Sequence, residues 1–209
     1  DAAIPPMSLI PIFLNEFQVA EFTVQIDQEG KIGIGGMVWD AAILLSKFIA
    51  KNRESFKSVK RVVELGSGTG LCGLAVAYLL PQAEVVLTDN QPHIPLLKRN
   101  AELNGLPNVR VEELDWFHPR NLGDFDMVIG SDIVYEPQLF EPLLDSLEAV
   151  AGPQTLVYLC NELRMSRDLN FYKAAHKRNW TMTILPDSLL DPECVNPESP
   201  VMLYKKSLS

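Results

Sequence analysis

The sequence predicts an α/β domain in which helices cover both faces of a mainly parallel, doubly wound β-sheet. Short apolar runs typical of buried strands alternate with helical patterns from residue 61 onward. A glycine-rich turn joins the first of these strands directly to a helix. The last two apolar runs, 180–186 and 200–206, have no helical pattern between them. Strands joined by a loop alone pair as antiparallel neighbours, so the last strand should be antiparallel.

An N-terminal extension, residues 1–52, precedes the regular alternation. Residues 20–27, AEFTVQID, alternate apolar and polar side chains, which predicts a strand from an edge or a hairpin. Residues 38–52, VWDAAILLSKFIAKN, are apolar on nearly every face, which predicts a helix packed against the sheet. The first sixteen residues carry no recognisable motif.

The core, residues 61–206, is predicted to consist of strands and helices in turn. Strands are expected at RVVEL (61–65), EVVLTD (84–89), NVRVEEL (108–114), FDMVIGSD (125–132) and TLVYLCNE (155–162), before the closing pair. Helices are expected at residues 70–80, 92–105, 137–150 and 167–178. Because 209 residues suit one hydrophobic core, residues 1–209 are predicted to form a single domain.

The composition argues against several classes of protein. The net charge of −9 is the wrong sign for binding phosphates, so no nucleic-acid substrate is expected, whereas a basic protein or peptide would be attracted. The three cysteines lie far apart, without C-x-x-C or nearby histidines, so neither a metal site nor a disulfide framework is predicted. No stretch resembles a membrane span or a basic leader, and we expect a cytoplasmic protein, with a nuclear location also compatible.

The turn after the first core strand is the first candidate site. A strand, a glycine-rich turn and a helix N-terminus offer N–H groups and a positive dipole end to a polar ligand. The dinucleotide fingerprint G-x-G-x-x-G would need glycine at position 71, where Leu71 stands. The turn reads E-x-G-x-G-x-G instead, from Glu64 to Gly70.

Two later strand ends add candidates for binding a nucleoside. Asp89 ends the next strand, where a carboxylate can accept both ribose hydroxyls of either NAD or S-adenosylmethionine. Asp115 and Trp116 follow the third core strand, at the same edge of the sheet. Asp115 could accept from the exocyclic amine of adenine, and Trp116 could supply a flat apolar wall.

Four motifs together resemble the methyltransferase-16 group of protein-lysine methyltransferases. They are V-W-D-A-A (38–42), E-L-G-S-G-T-G (64–70), L-D-W (114–116) and D-I-V-Y (132–135). The likeness spans roughly residues 17–206, and the helix at 38–52 resembles most the subgroup that acts on the valosin-containing ATPase, followed by the chaperone-modifying subgroup. The chain departs from the family at Phe117, where glycine is usual.

The resemblance implies a Rossmann-like, seven-strand methyltransferase sheet and a defined set of ligands. The cofactor would be S-adenosyl-L-methionine, with S-adenosyl-L-homocysteine as product. The substrate would be a lysine of a partner protein of the chaperone, AAA ATPase or translation-factor class, and the enzyme would act as a monomer. By resemblance, the cofactor-binding residues are Trp39, Glu64 (from below the turn), Gly66, Ser67, Gly68, Asp89, Asp115, Trp116 and Ser131, and the catalytic pair is Asp132 and Tyr135.

The chemistry of methyl transfer fits the last pair independently. Transfer from a sulfonium needs a neutral amine aligned with the S–methyl bond, without a metal or a covalent intermediate. Asp132 could accept a hydrogen bond from the incoming nitrogen, while the Tyr135 ring lines the lysine channel. A strong carboxylate partner would hold the ammonium form, so Asp132 is expected to align the amine rather than to act as a strong base.

Simpler interpretations stay open for several of these residues. Asp132 could cap the following helix with Tyr135 filling a gap, and Trp39 could belong to the core. No chemical role is expected for the three histidines, and Leu139, with the leucines that follow it at helical spacing, is expected in the core. Two further functions compete: a small-molecule N-methyltransferase, which would need a lid over the cofactor, and a non-catalytic assembly module.

Overall fold

The computed structural model describes residues 13–163 and 168–206, and a seven-stranded β-sheet forms its centre. The strands of this sheet are β3 (Arg61–Glu64), β4 (Glu84–Asp89), β5 (Val109–Glu113), β6 (Phe125–Ser131), β7 (Ala151–Cys160), β8 (Trp180–Ile184) and β9 (Val201–Lys206). Two earlier strands, β1 (Phe13–Val19) and β2 (Phe22–Gln28), form a separate antiparallel hairpin. The helices are α1 (Asp40–Lys51), α2 (Leu71–Leu79), α3 (Ile94–Asn104), α4 (Phe140–Val150) and α5 (Asp168–Lys177).

The strand order is β5-β4-β3-β6-β7-β9-β8, which confirms the predicted doubly wound sheet. The pairs β5–β4, β4–β3, β3–β6 and β6–β7 are parallel, whereas β9 is antiparallel to both β7 and β8. The order reverses between β3 and β6, so a crevice opens at the carboxyl ends of these strands. Ligands of open α/β sheets bind at such a point.

The sheet separates two hydrophobic cores because successive strand residues point to opposite faces. In β3, Val62 belongs to the core beneath α1 and α2, whereas Val63 belongs to the core beneath α4 and α5. Both side chains are fully buried. Strands buried on both faces read as continuous apolar runs, which is why the sequence predicted them so directly.

Two element predictions need correction. The sequence predicted one N-terminal strand, but β1 pairs with β2 along its whole length; residues 1–12 of the extension lie outside the described part. The strand predicted at 155–162 spans Ala151–Cys160 instead. The strand begins early because a shift in its register with β6, next to Phe125, accommodates Gly152 and Pro153, which indicate a turn in the sequence. It ends two residues early, so Asn161 lies in the loop beyond the sheet.

The hairpin is fastened to the core by two asparagines one turn apart on α3. Asn100 Oδ1 accepts from the Asp27 N–H at 2.9 Å, and its Nδ2 donates to the Asp27 and Thr69 carbonyls at 3.0 and 2.8 Å. Asn104 likewise bonds the N–H and C=O of Gln25, at 3.0 and 2.8 Å. These amides give the free edge of β2 the hydrogen bonds that a third strand would supply. Through its bond to the Thr69 carbonyl, Asn100 also ties the hairpin to the glycine-rich turn.

No helix among residues 13–163 and 168–206 has the length and apolarity that crossing a bilayer would require. Within the same residues, His, Cys, Asp and Glu side chains form no group that could hold a metal ion.

Candidate active site

A cavity of about 370 Å³ lies at the carboxyl ends of β3, β4 and β6. The loop before α1, the glycine-rich turn and the segments that follow β4, β5 and β6 supply its walls. Ten of the eleven residues proposed from the sequence line it: Trp39, Gly66, Ser67, Gly68, Asp89, Asp115, Trp116, Ser131, Asp132 and Tyr135. The fold therefore brings residues from across 97 positions of the chain (135 minus 39 plus one) to one crevice.

The glycines of the turn are required by backbone conformation and by close contacts. Gly66, Gly68 and Gly70 have φ angles of 61°, 54° and 84°, in the left-handed region that side chains disfavour. A Cβ on Gly66 would lie 2.8 Å from Ile133 Cγ2 and 3.0 Å from the Trp116 ring, and one on Gly68 would lie 2.7 Å from the Gly35 carbonyl oxygen. Any larger residue would push these walls of the cavity apart.

Three N–H groups of the turn, which the sequence predicted to be free, are bonded within the protein. The N–H of Ser67 donates to the Thr88 carbonyl at 2.8 Å, that of Gly68 to Asp89 Oδ2 at 2.7 Å, and that of Gly70 to the Ser67 carbonyl at 2.7 Å. At the start of α2, the Gly73 N–H donates to Glu64 Oε2 at 3.1 Å. Because these donors are satisfied within the protein, the turn is poorly suited to bind a pyrophosphate.

Glu64 lies beneath this turn and is not among the residues that line the cavity. Its side chain is buried, and a Cβ on Gly73 would lie 2.6 Å from Oε2. Burial raises the pKa of Glu64 to about 8, against the lowering effect of hydrogen bonds from Ser67 and the Gly73 N–H. The structure thus places Glu64 below the turn, as predicted, where its carboxyl group can support the turn without touching a ligand.

We expect the Glu64→Gln variant to be more stable than the wild type at alkaline pH. The unfolded carboxyl ionises near pH 4.5, whereas the folded one keeps its proton until about pH 8. Between these values the folded state binds more protons, so the wild type loses stability as pH rises, by up to about 5 kcal/mol relative to the variant. Urea unfolding of both proteins from pH 5 to pH 9 measures the difference. Parallel stability curves would contradict the assignment.

The cavity wall is acidic. Asp89, Asp115, Asp132 and Glu136 line it, and no lysine or arginine stands among its described lining residues. Asp89 accepts hydrogen bonds from the backbone N–H groups of Gly68 and Asn90, and its Oδ1 lies 3.1 Å from His93 Nδ1. A wall with this charge favours a cationic ligand and opposes a polyanion.

The segment after β5 forms part of the cavity wall. Asp115 Oδ2 lies 2.8 Å from His118 Nδ1, and Asp115 Oδ1 accepts from the Phe117 N–H at 3.0 Å. The hydrogen bond with His118, followed by that from Phe117, lowers the pKa of Asp115 and favours its charged form. Phe117, at the position where the resemblance predicts glycine, lines the cavity and leaves 58% of its surface exposed.

Asp132 and Tyr135 line the cavity just after β6. Asp132 has a φ of 51°, rare outside glycine, and is held by its N–H to the Cys160 carbonyl at 2.8 Å. Its Oδ1 also accepts from the Glu162 N–H at 3.0 Å. Burial, followed by the charges of Glu136 and Asp89, raises the pKa of Tyr135, so its hydroxyl keeps its proton at neutral pH.

Sequence reasoning missed a buried asparagine that shapes this loop. Asn161 Oδ1 accepts from the N–H groups of Ile133 and Val134, at 3.0 and 3.1 Å. The two residues between Asp132 and Tyr135 are therefore fixed by a side chain from the end of β7. The only signal in the sequence was its place near the end of a predicted strand, at the carboxyl edge of the sheet.

The structure also decides between the two interpretations of Trp39 and places two further residues at the cavity. Trp39 lines the cavity, where the resemblance placed it, and is not a core residue: it precedes α1, is 44% exposed, and its indole N–H donates to the Ile34 carbonyl at 2.9 Å. Leu139 was expected in the core with the leucines of α4, but it lies in the 3-10 turn before α4 and lines the cavity. His93, for which no role was expected, also lines it.

Comparisons with known proteins agree with this geometry. A sequence-family profile described as lysine methyltransferase matches residues 18–178. The protein N-lysine methyltransferase METTL21A of Danio rerio is 34% identical over 197 residues, covering 90% of this chain and 88% of the relative. The EEF1A lysine methyltransferase 3 of Mus musculus is 32% identical over 148 residues, covering 69% of this chain and 62% of the relative.

Solved structures with low sequence identity share the fold. The mitomycin 7-O-methyltransferase MmcR superposes with a TM-score of 0.61 at 13% identity, over 80% of this chain and 54% of that one. The ribosomal protein L11 methylase of Lactobacillus delbrueckii gives a TM-score of 0.56 at 16% identity, over 80% and 78% of the two chains. This chain thus spans about half of MmcR and most of the L11 methylase. Given its four motifs, its sheet order and these relatives, the chain belongs to the lysine methyltransferase family.

Proposed function

We propose that the protein transfers a methyl group from S-adenosylmethionine to a lysine side chain of a partner protein. The observation that carries this proposal is the acidic cavity at the point where the strand order reverses, with no lysine or arginine among its described lining residues. NAD would place a doubly charged pyrophosphate against four carboxylates and a turn whose donors are largely used. S-adenosylmethionine instead carries a sulfonium and an amino group, which such a wall attracts.

The residues of the cavity fit this cofactor. Asp89 would accept the ribose hydroxyls, and Asp115 the exocyclic amine of adenine. The rings of Trp39 and Trp116 would provide flat apolar walls, while the Gly66–Gly68 turn allows close approach. When bound, the cofactor supplies a methyl group on a positively charged sulfur, which a neutral amine takes by in-line displacement.

Asp132 and Tyr135 would prepare the lysine. The Asp132 backbone N–H is bonded to the last residue of β7, and its carboxylate accepts from the Glu162 N–H just beyond that strand, so the carboxylate can hold an incoming nitrogen in one direction. Before it is aligned, the ammonium group of the substrate lysine is exposed to solvent and passes its proton to water. Tyr135, which keeps its hydroxyl proton, lines the channel with its ring and can donate one hydrogen bond.

The rim of the cavity supports a protein as substrate. Three large apolar side chains of the lining, Ile34, Trp39 and Phe117, are each more than 40% exposed, as is common where a partner docks. No residue of the 187–199 loop lines the cavity, so that loop supplies no lid of the kind expected for a small-molecule enzyme. The names of the relatives agree with a protein lysine as acceptor. We further propose that the substrate protein is a chaperone, an AAA ATPase or a translation factor. The enzyme would act as a monomer in the cytoplasm and would bind neither membranes nor nucleic acid.

Two measurements test this function. S-adenosylhomocysteine at about 100 times its Kd should raise the Tm by roughly 5 to 10 °C, and NADH should not. Incubation with methyl-labelled S-adenosylmethionine and a cell lysate should then place the label on lysine in the protein fraction. Stabilisation by NADH alone would overturn the cofactor assignment. Label confined to the small-molecule fraction would favour the alternative N-methyltransferase.

A further inference from the structure

The geometry points to His93 as a proton-linked positioning residue for Asp89, which sets how strongly the ribose of the cofactor is held. This inference rests on the proposed function, because it concerns the binding of S-adenosylmethionine and its product. It goes beyond that function by adding a residue that none of the four motifs contains.

The His93 ring is confined between Asp89 and the loop before α1. Its Nδ1 lies 3.1 Å from Asp89 Oδ1 and 2.6 Å from Asn90 Oδ1. On the other side, a Cβ on Gly35 would lie 2.6 Å from Nε2, so only glycine leaves room for the ring. Nε2 is buried and makes no hydrogen bond of ordinary geometry. Because both neighbouring acceptors lie at Nδ1, we assign the proton of the neutral ring to this nitrogen.

Asp89 has too few free acceptor positions to bind both ribose hydroxyls while His93 stays bonded to it. An ionised carboxylate offers about four lone-pair positions. Three protein donors occupy Asp89: the N–H of Gly68 at 2.7 Å, the N–H of Asn90 at 2.8 Å, and His93 Nδ1 at 3.1 Å. The two ribose hydroxyls need two acceptor positions on Asp89, but only about one is left. One of the protein donors must therefore withdraw when the ribose binds.

His93 is the donor that can withdraw. Its contact with Asp89 is the longest of the three, and Asn90 Oδ1 offers an alternative acceptor at 2.6 Å. The other two donors are backbone groups fixed by the turn and by the end of β4. We therefore expect Nδ1–H to bond only to Asn90 when the ribose takes its place on Asp89.

The charge on His93 then controls the competition. An imidazolium holds a carboxylate more strongly than a neutral imidazole does, because its hydrogen bond is charge-assisted. The hydrogen bond with Asp89 raises the pKa of His93, burial opposes this, and the Asp89 charge and the Ile32 carbonyl add to the rise. Asp89 is the charged group that faces the ring among the described residues. Protonated His93 thus competes with the ribose, and cofactor affinity should fall as pH is lowered through its pKa.

Calorimetric titration with S-adenosylhomocysteine from pH 6 to pH 9 tests this inference. The wild type should bind S-adenosylhomocysteine about tenfold more weakly at pH 6 than at pH 9. The His93→Gln variant should lack the part of this pH dependence that comes from His93, and at pH 6 it should bind more tightly than the wild type. His176→Gln, an exposed histidine on α5, is the matched control and should follow the wild type. Because Glu64 ionises in the same range, Glu64→Gln is measured in parallel and should keep the His93 component.

A second measurement uses the wild-type protein alone. The pKa of His93, followed by NMR of its ring, should fall when S-adenosylhomocysteine binds, because the ribose separates it from Asp89. Parallel affinity profiles for wild type and His93→Gln, or a His93 pKa that does not fall, would overturn the inference while leaving the proposed function intact. Absence of S-adenosylhomocysteine binding at every pH would overturn both.

Discussion

Replacing Asp132 with asparagine is expected to lower kcat by about 10² to 10⁴-fold while changing the Kd for S-adenosylhomocysteine by no more than about threefold. The carboxylate aligns the amine only if it is charged and accepts a hydrogen bond. The amide keeps the shape of the side chain but loses that charge. Single-turnover transfer to a lysine substrate, together with calorimetric binding of S-adenosylhomocysteine, measures the two effects separately.

Asparagine is the informative replacement because it preserves the local structure. Asn tolerates the left-handed φ of 51° better than most residues, and its Oδ1 can still accept from the Glu162 N–H. Alanine would lose that bond and combine a folding defect with a chemical one. Asp115→Asn, in the segment after β5, is the control: it should weaken cofactor binding and leave kcat at saturation nearly unchanged. An Asp132→Asn enzyme that kept more than about a tenth of the wild-type rate would remove Asp132 from the mechanism.

The Asp89→Ala change should weaken binding of S-adenosylhomocysteine on the order of 10²-fold or more. A hydrogen bond to a charged group contributes about 1.5 to 3 kcal/mol, and this carboxylate is expected to accept two from the ribose. The change also releases the Gly68 N–H, which Asp89 holds at 2.7 Å, and so loosens the turn. Equilibrium dialysis or calorimetry at pH 8 measures the loss.

Glu113→Ala provides the matched control for Asp89. Glu113 stands opposite Asp89 in the register of β4 and β5, is exposed and does not line the cavity. Its replacement removes the same charge from the neighbouring strand end and should leave Kd within about twofold, since an exposed carboxylate outside the cavity interacts with a ligand only weakly through water. Equal losses in the two variants would show that charge alone, and not contact with the ribose, explains the effect.

The sequence predicted the sheet well because its strands are buried on both faces. Continuous apolar runs such as that around Val62 and Val63 have few alternative interpretations. β1 was missed because a single strand with exposed alternate positions carries little signal without its partner. The early start of β7 was missed because Gly152 and Pro153 indicate a turn, and only the register with β6 shows that a strand accommodates them.

The candidate site was predictable where a motif is local and unpredictable where contacts are distant. The turn residues and Asp132 occur in short patterns whose spacing has a physical meaning. His93 meets Gly35 across 58 positions (93 minus 35), and Asn100 meets Asp27 across 73. Neither pairing leaves a periodic trace in the sequence. The bonds from the Ser67 and Gly68 N–H groups were not predicted for the same reason, because their partners Thr88 and Asp89 belong to another strand.

The position of β9 has a consequence for how this protein is made. β9 follows every other described strand along the chain, yet it lies between β7 and β8 in the sheet. During synthesis, Trp180–Ile184 leaves the ribosome without the neighbour to which it will bond. The sheet can therefore close only after Lys206 has been translated, and until then the unpaired edge of β7 is open to chaperones and to aggregation.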